Sequence, residues 1–520
     1  MRINQDEHVT RARFRRLRFK WTLFFLLLFV FLIFFHLHND EGNEENQERM
    51  TEEEINVEDI ERLRESPDIR VLIQSGNYEG IYHKSVEIML PDGGYLLYYR
   101  NNGWTKHTIA AGETVVIAQK GGDYNLSKDE TAVLLPAKTD GVTVIGSIVR
   151  NRSTCDYPGR IEISVSGDGL TVVNVLPLET YLKLVVPSEM PASFDMETLK
   201  AQAILARTYA YHYLLSPAYE EQNAHVDDSI SFQVYGNLDA NEATDEAVES
   251  TEGVLLFDGN NLAEVYYYST SWGFGTDGTV WGGDGQTYLR SVRIGPGVLY
   301  NSLLNLTEED AETYLLQYLK SELVFRSMMD EPFVPAYESA LPWYRWQAVN
   351  ESVDVTEMEK RLKERYASDP SSVLTQNKDG SFSAGNIKNI GTLQNIEVYE
   401  RGEGGIVESL LITGSKNTYL VNREYNIRYV LCSSDVLITR QDGVTVDGNT
   451  LLPSGFFYIL TTKTGQNGLS YTLRGGGYGH GVGMSQNGAN QMARVGLSCE
   501  EILSFYFLDT RLVKYEGTDS

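Results

Sequence analysis

Arg160-Ile-Glu-Ile-Ser-Val-Ser-Gly-Asp-Gly-Leu-Thr-Val-Val-Asn-Val175 decides the fold class. Its first six residues alternate polar and apolar, the period of a half-buried strand; Ser166-Gly-Asp-Gly169 turns the chain, and Leu170–Val175 returns as a second strand. Beyond Pro177 the period changes. Met196, Leu199, Ala203, Ala206, Ala210 and Tyr213 recur at three- and four-residue steps, the apolar stripe of an amphipathic helix with Ser193 or Asp195 as its N-cap. A hairpin leading into an alanine-rich helix predicts an α+β fold: a strand-rich core with a few packed helices.

Upstream, short apolar runs between turn signals predict strands at Ile69–Ile73, Ser85–Leu90, Tyr95–Arg100, Thr114–Gln119, Thr131–Pro136 and Val142–Val149. Downstream, Thr307–Arg326 and Thr356–Tyr366 show helical periodicity, the first opened by a capping-box pattern, Thr307-Glu-Glu-Asp310. Asn395–Tyr399, Glu408–Thr413 and Thr418–Val421 read as strands again, and Ser498-Cys-Glu-Glu501 caps a last helix running to about Phe507. The expected division is a strand-rich region with the helix core over 68–300, a helical insertion over 301–380, and a strand-rich region over 381–520 that completes the core.

The first 67 residues differ in kind. Basic residues crowd 1–20, an expected cytoplasmic tail. Trp21-Thr-Leu-Phe-Phe-Leu-Leu-Leu-Phe-Val-Phe-Leu-Ile-Phe-Phe35 then predicts one N-terminal transmembrane helix over 21–37, short for a hydrocarbon core of roughly 30 Å but extended by snorkelling flanks. His36-Leu-His-Asn-Asp40 offers no small-residue cleavage site, so an uncleaved signal-anchor is expected. The basic tail places the N-terminus in the cytoplasm and the rest outside it, a single-pass protein of the cell membrane. Residues 38–67, rich in Asp and Glu, read as a solvated linker.

Among 520 residues, 72 are acidic and 44 basic, a formal charge of −28. Counterion release then disfavours nucleic acid as a partner. Cys155, Cys432 and Cys499 are odd in number and far apart, which argues against a disulfide framework or a metal knuckle. The stretch Arg474-Gly-Gly-Gly-Tyr-Gly-His-Gly-Val-Gly-Met-Ser-Gln-Asn-Gly-Ala489 lacks the βαβ context of a dinucleotide loop. Its glycines instead let the backbone approach a ligand or another segment, with His480 held in the loop.

One carboxylate stands out. Glu189 lies in Val185-Val-Pro-Ser-Glu-Met-Pro191, where two prolines restrict the backbone of an acid ahead of the alanine-rich helix. The competing reading is a carboxylate favoured by that helix's N-terminus.

Asn174-Val-Leu-Pro-Leu-Glu-Thr-Tyr-Leu182, Val186-Pro-Ser-Glu-Met-Pro191, Leu199-Lys-Ala-Gln-Ala203, Ala206-Arg-Thr-Tyr-Ala210, Gln233-Val-Tyr-Gly236, Ser269-Thr-Ser271 and Gly479-His-Gly-Val-Gly-Met-Ser-Gln486 resemble the stage II sporulation protein D family, which includes amidase enhancers. The resemblance runs in family order from about residue 69 to 514. It implies a membrane-anchored lytic transglycosylase that cuts peptidoglycan glycan strands stripped of stem peptides. It also implies action beside a partner amidase and other sporulation membrane proteins during engulfment, and catalysis by the Glu of Pro-Ser-Glu-Met-Pro, here Glu189.

The residues support that chemistry independently. Protonating a poor leaving oxygen calls for a carboxylic acid of raised pKa. Hydrolases add a second carboxylate; a lytic transglycosylase uses the sugar's own C6 hydroxyl, so one Glu can act as acid and then base. Asp195, Asp277 and Asp284 stay open as second carboxylates. Lys200 and Arg207, on one flank of the apolar stripe, could hold Glu189 or substrate, and equally could be structural charges. Gln233 and Gln486 could bond sugar groups, His480 could orient the site, and Ser269 and Ser271 belong to the expected cleft. Of Tyr266, Tyr267, Tyr268, Trp272, Trp281 and Tyr478, at most two are expected to face a sugar.

The chain departs from the family twice. Where some members carry a zinc-binding Cys and His before Gln-Val-Tyr, it has Asp227 and Ser231, so neither metal nor other cofactor is expected. Trp272 stands where the family commonly has a glycine after Ser-Thr-Ser. The runner-up function is a noncatalytic amidase enhancer that binds wall or partner.

Overall fold

Arg160–Ser166 pairs antiparallel with Gly169–Pro177 across a two-residue turn. Gly167 takes φ +54° there, which glycine tolerates without a Cβ penalty. The computed structural model describes residues 68–100, 103–282, 285–296, 314–332, 335–448, 450–465 and 468–514. The predicted anchor at 21–37, the tail and linker around it, Asp284 and the capping pattern at Thr307 lie outside the described residues.

The hairpin sits in a seven-stranded sheet, in the order Val226–Asp227, Asp68–Leu72, Gly169–Pro177, Arg160–Ser166, Thr131–Pro136, Gly94–Arg100 and Gly103–Ile109. Only the first pair is parallel. Arg160–Ser166 alternates in burial through Ile163 and is half-buried at its last three positions, whereas Gly169–Pro177 is buried at every position but the last. Its run of β-branched residues serves both faces. Leu170, Val172 and Leu176 enter the main core with Val86, Ile117 and Ile145 of a five-stranded sheet. Val173 and Val175 join Leu72 and Ala224 on the other side. Side chains alternating across a strand produce that division.

Three helices lie against this core. Helix α1, Leu178–Glu189, buries Leu178, Tyr181, Leu182, Val185 and Val186, the spacing of one helical face. Helix α2, Met196–Leu215, is capped by Asp195, whose carboxyl accepts from the Glu197 N–H. Its small Ala203, Ala206 and Ala210 are fully buried and permit close packing. Helix α3, Glu242–Ser250, leads into Val254–Asp258, which pairs with Arg511–Lys514 near the end of the described chain.

A second core draws on two further five-stranded sheets. One centres on Trp346–Asn350 between Val436–Arg440 and Gly468–Gly475; the other runs from Phe382–Ala384 to Leu393–Arg401. Helices α4 (Glu322–Asp330), α5 (Val355–Ser368) and α6 (Glu424–Leu431) accompany them. Strands Trp346–Asn350 and Val373–Gln376 thus fall inside the stretch 301–380 that reads as helical in sequence. Helices α7 (Gln486–Arg494) and α8 (Cys499–Tyr506) return to α2, and α8 carries the expected capping box between Ser498 and Glu501.

The expected fold class and localisation need correction. The α+β core stands, but no helix among the described residues is long and apolar enough to cross a membrane. The longest, α2, carries Glu197, Lys200 and Arg207. The expected transmembrane helix, signal-anchor and single-pass membrane placement therefore find no support among the described residues.

Candidate active site

Pro187 sets where Glu189 ends up. A proline inside a helix lacks the donor needed by the preceding turn, and α1 stops two residues later, with Pro191 following the stop. Ser188 Oγ donates to Leu184 O at 2.7 Å and accepts from the Asn237 and Leu238 N–H groups, tying the last turn to the next loop. Glu189 is the last residue of α1. The partial negative charge of a helix C-terminus disfavours a carboxylate there.

The partner of Glu189 comes from Gln233-Val-Tyr235. Tyr235 is fully buried, stacks on Tyr181 with ring centroids 4.9 Å apart, and donates to Asn174 Oδ1 at 2.6 Å. Gln233 accepts from Tyr181 OH and donates to Ala206 O and Tyr267 OH, each at 3.3 Å. With both flanking side chains fixed, the Val234 N–H donates to Glu189 Oε1 at 2.6 Å. Glu189 stays partly accessible, yet protein encloses its carboxyl. Burial pushes its pKa up to about 7, opposed only by the Val234 bond, and no charged group contributes to the shift. In turn the Glu189 charge raises the hydroxyl pKa of buried Tyr181 and Tyr267, after the larger effect of their own burial.

The glycine-rich segment closes onto this acid. Gln486 Nε2 donates to Glu189 O at 3.1 Å and Gln202 Oε1 at 3.3 Å. Tyr267–Tyr268 and Met484–Ser485 form a short parallel pair. His480 Nδ1 accepts from the Val482 N–H at 3.1 Å, so Nε2, 3.0 Å from Tyr267 O, carries the ring proton. Burial, with the charge of Arg428, lowers the His480 pKa to about 4, and the ring is neutral at physiological pH. Its neighbours are Tyr266, Tyr268 and Trp281.

Other expected site residues are engaged by other partners. Lys200 pairs with Glu197 at 2.8 Å. Arg207 is fully buried and grips Glu179 through two bonds of 2.7 Å, while its guanidinium also donates to Val248 O and Val254 O. It fastens α2 to α1 and α3. Ser269 O accepts from the Asn487 backbone and side chain at 3.0 and 2.9 Å. Tyr478 is 44% exposed and packs on Trp343. Trp272 is core, against Phe274 and Phe325. Asp195 and Asp277 both serve as caps. The Asp227 carboxyl accepts from Tyr219 OH, Gln74 and the Ser229 N–H, and Ser231 is exposed, a donor set that does not fit a zinc pair. Among the described residues no three His, Cys, Asp or Glu converge to hold a metal.

Ser271 points to a residue that sequence reasoning missed. Its N–H donates to Glu338 Oε1 at 2.9 Å, its hydroxyl donates to Oε2, and Ser485 Oγ donates to Oε1 at 2.8 Å. Glu338 is fully buried, and burial pushes its pKa up to about 7. It follows Pro335-Ala-Tyr337, with no motif around it to mark it.

Residues 166–257 match the family model described as stage II sporulation protein, and residues 276–483 match a domain of unknown function, DUF8618. The chain is 29% identical over 338 residues to an amidase enhancer of Bacillus subtilis, covering 64% of this chain and 40% of that protein. It is 27% identical to stage II sporulation protein D of the same organism, covering 65% of this chain and 75% of the relative. The same protein from Bacillus amyloliquefaciens is also 27% identical, over 64% of this chain and 74% of the relative. Residues 166–257 are therefore a stage II sporulation protein domain, and the family resemblance read from the sequence is borne out. The match spans under half the length of the amidase enhancer.

Proposed function

We propose that the chain is a peptidoglycan lytic transglycosylase that cleaves glycan strands freed of stem peptides in sporulation, with Glu189 as acid and then base. The observation that carries this reading is a half-buried glutamate whose enclosed carboxyl has its pKa raised to about 7 with no charged partner. Such a group is protonated often enough near neutrality to donate and basic enough to take a proton back. Glu189 gives its proton to the glycosidic oxygen as the C1–O bond breaks. The C6 hydroxyl of the same sugar then closes on C1, its proton passing to the Glu189 carboxylate, which restores the acid and leaves a 1,6-anhydro end. Val234 N–H orients the carboxyl, and Gln486 holds the helix end that carries it.

The experiment is digestion of peptide-free glycan with the purified chain, reading product ends by mass. Anhydro ends, lighter than hydrolysed ends by one water, support the reading; their disappearance in Glu189→Gln assigns the role. The relative called an amidase enhancer favours a second reading, in which the chain binds wall or a partner amidase without cutting. No cleavage, with stimulation of an added cell-wall amidase, would decide for it.

A further inference from the structure

Beside His480 the surface opens into a cleft of about 420 Å³. We propose that this cleft holds one N-acetylglucosamine ring of the glycan strand and rejects N-acetylmuramic acid, so that it sets which of the two alternating sugars meets Glu189. This rests on reading the chain as a glycan-cleaving enzyme.

The lining has the chemistry of a sugar slot. Trp281 and Tyr266 are both half-buried, with ring centroids 4.7 Å apart, and the buried Leu289 also lines the cleft. A pyranose ring presents a C–H face to such aromatics and hydroxyls at its edge. Gly278, Gly282 and Gly285 bring no side chains, so backbone can approach a ligand closely, and the last two take φ +91° and +67°, which favour glycine. Glu264 and Gln286, both exposed, offer acceptors and a donor amide for the ring substituents.

The slot's charge decides between the two sugars. Among the described residues that line it, the ionisable groups are Glu264 and the Tyr266 phenol. Arg423 approaches Gly282, but its guanidinium is engaged by Asp369 at 2.5 Å and Ser371 at 3.0 Å. A glycan strand without stem peptides keeps a lactyl carboxylate on every muramic acid and none on glucosamine. Beside Glu264 that carboxylate meets a like charge, and the described lining residues include no Lys or Arg to offset it, whereas the neutral sugar meets no such repulsion.

The slot is joined to the site. His480 contacts Trp281 at 5.2 Å between ring centroids and is bonded to Tyr267 O, while Tyr267 OH shares Gln233 with Tyr181 beside Glu189. A sugar held there is placed relative to the acid by fixed elements.

Calorimetric titration of the full chain carrying Glu189→Gln, which removes turnover, tests this with tri-N-acetylchitotriose and with N-acetylmuramic acid as probes. Trp281→Ala is expected to weaken chitotriose binding about tenfold or more. Trp281→Phe, which keeps a ring against His480, is expected to lose less. Glu264→Lys, at an exposed position, is expected to admit N-acetylmuramic acid. Unchanged chitotriose affinity in folded Trp281→Ala, or equal affinity of the parent protein for both sugars, overturns the proposal. Chitotriose binding that needs Trp281 in a chain that makes no anhydro ends would leave the slot standing and sink the transglycosylase. Anhydro ends from wild type with Trp281-independent binding would do the reverse.

Discussion

The Val234 N–H meets Glu189 Oε1 at 2.6 Å, and this neutral donor is the one group that favours the charged form of the buried carboxyl. Burial prevails and sets the pKa at about 7, with the C-terminus of α1 acting in the same direction. On the proposed reading the protonated form is the acid, so kcat/KM on peptide-free glycan is expected to fall about tenfold per pH unit above pH 7. His480 contributes no limb near its ordinary pKa, because its own is lowered to about 4. A profile that is flat through the neutral range would remove Glu189 as the donor.

The same shift makes a stability prediction. Glu189 titrates at about 7 when folded against an ordinary 4.5, so the fold binds its proton more tightly than the unfolded chain does. Stability from this group is complete below the ordinary value and is lost as pH rises through the folded one. Glu189→Gln does not ionise. Urea unfolding should therefore show it gaining on wild type from acid to mildly alkaline pH, by at most about 3 kcal/mol. A gap that does not change with pH counts against a buried, unpaired carboxyl.

Arg207 is expected to act on the fold alone. Its charge is fully buried in a two-bond grip on Glu179, and truncation strands that carboxylate along with the Val248 and Val254 carbonyls. Arg207→Ala should cost about 3–5 kcal/mol in denaturant titration. Arg207→Lys keeps the charge without the fork and should lose part of that. In the folded fraction the pH of half-maximal activity should stay where it is in wild type; a moved limb would place Arg207 at the acid after all.

The hairpin, α2 with its Asp195 cap, and the capped α8 were legible because each depends on a local signal: alternation, apolar stripe, cap residue. Helix α1 was obscured by Pro187, which reads as a helix breaker and here sits in the last turn. Strand Gly103–Ile109 was hidden because it is exposed at all but its last position and has no apolar face. Glu189 stood out in sequence, but its partner is a backbone N–H, a contact any residue at 234 except proline can make. Lys200 and Arg207 share a helix flank with no bearing on Glu189, since the helical projection gives direction and not what lies opposite. Pairings such as Gln486 with Glu189 span 297 residues and follow only from the closed fold.

Glu338 is the strongest case of that last kind and carries the final prediction. Ser485 caps α7 by accepting from the Gly488 N–H at 3.3 Å while donating to Glu338, and the next residue, Gln486, holds the Glu189 carbonyl. The Ser271 backbone is fixed by the same carboxyl. Glu338→Ala leaves these donors without a partner in a closed interior, at about 2–4 kcal/mol. On the proposed reading it should also lower kcat more than it raises KM, because it loosens the support of Glu189 and not the proposed sugar slot. Glu338→Gln retains an acceptor oxygen and volume, so it should recover most of both losses. Full stability and activity in Glu338→Ala would mean that the Ser271 and Ser485 segments hold their places without it.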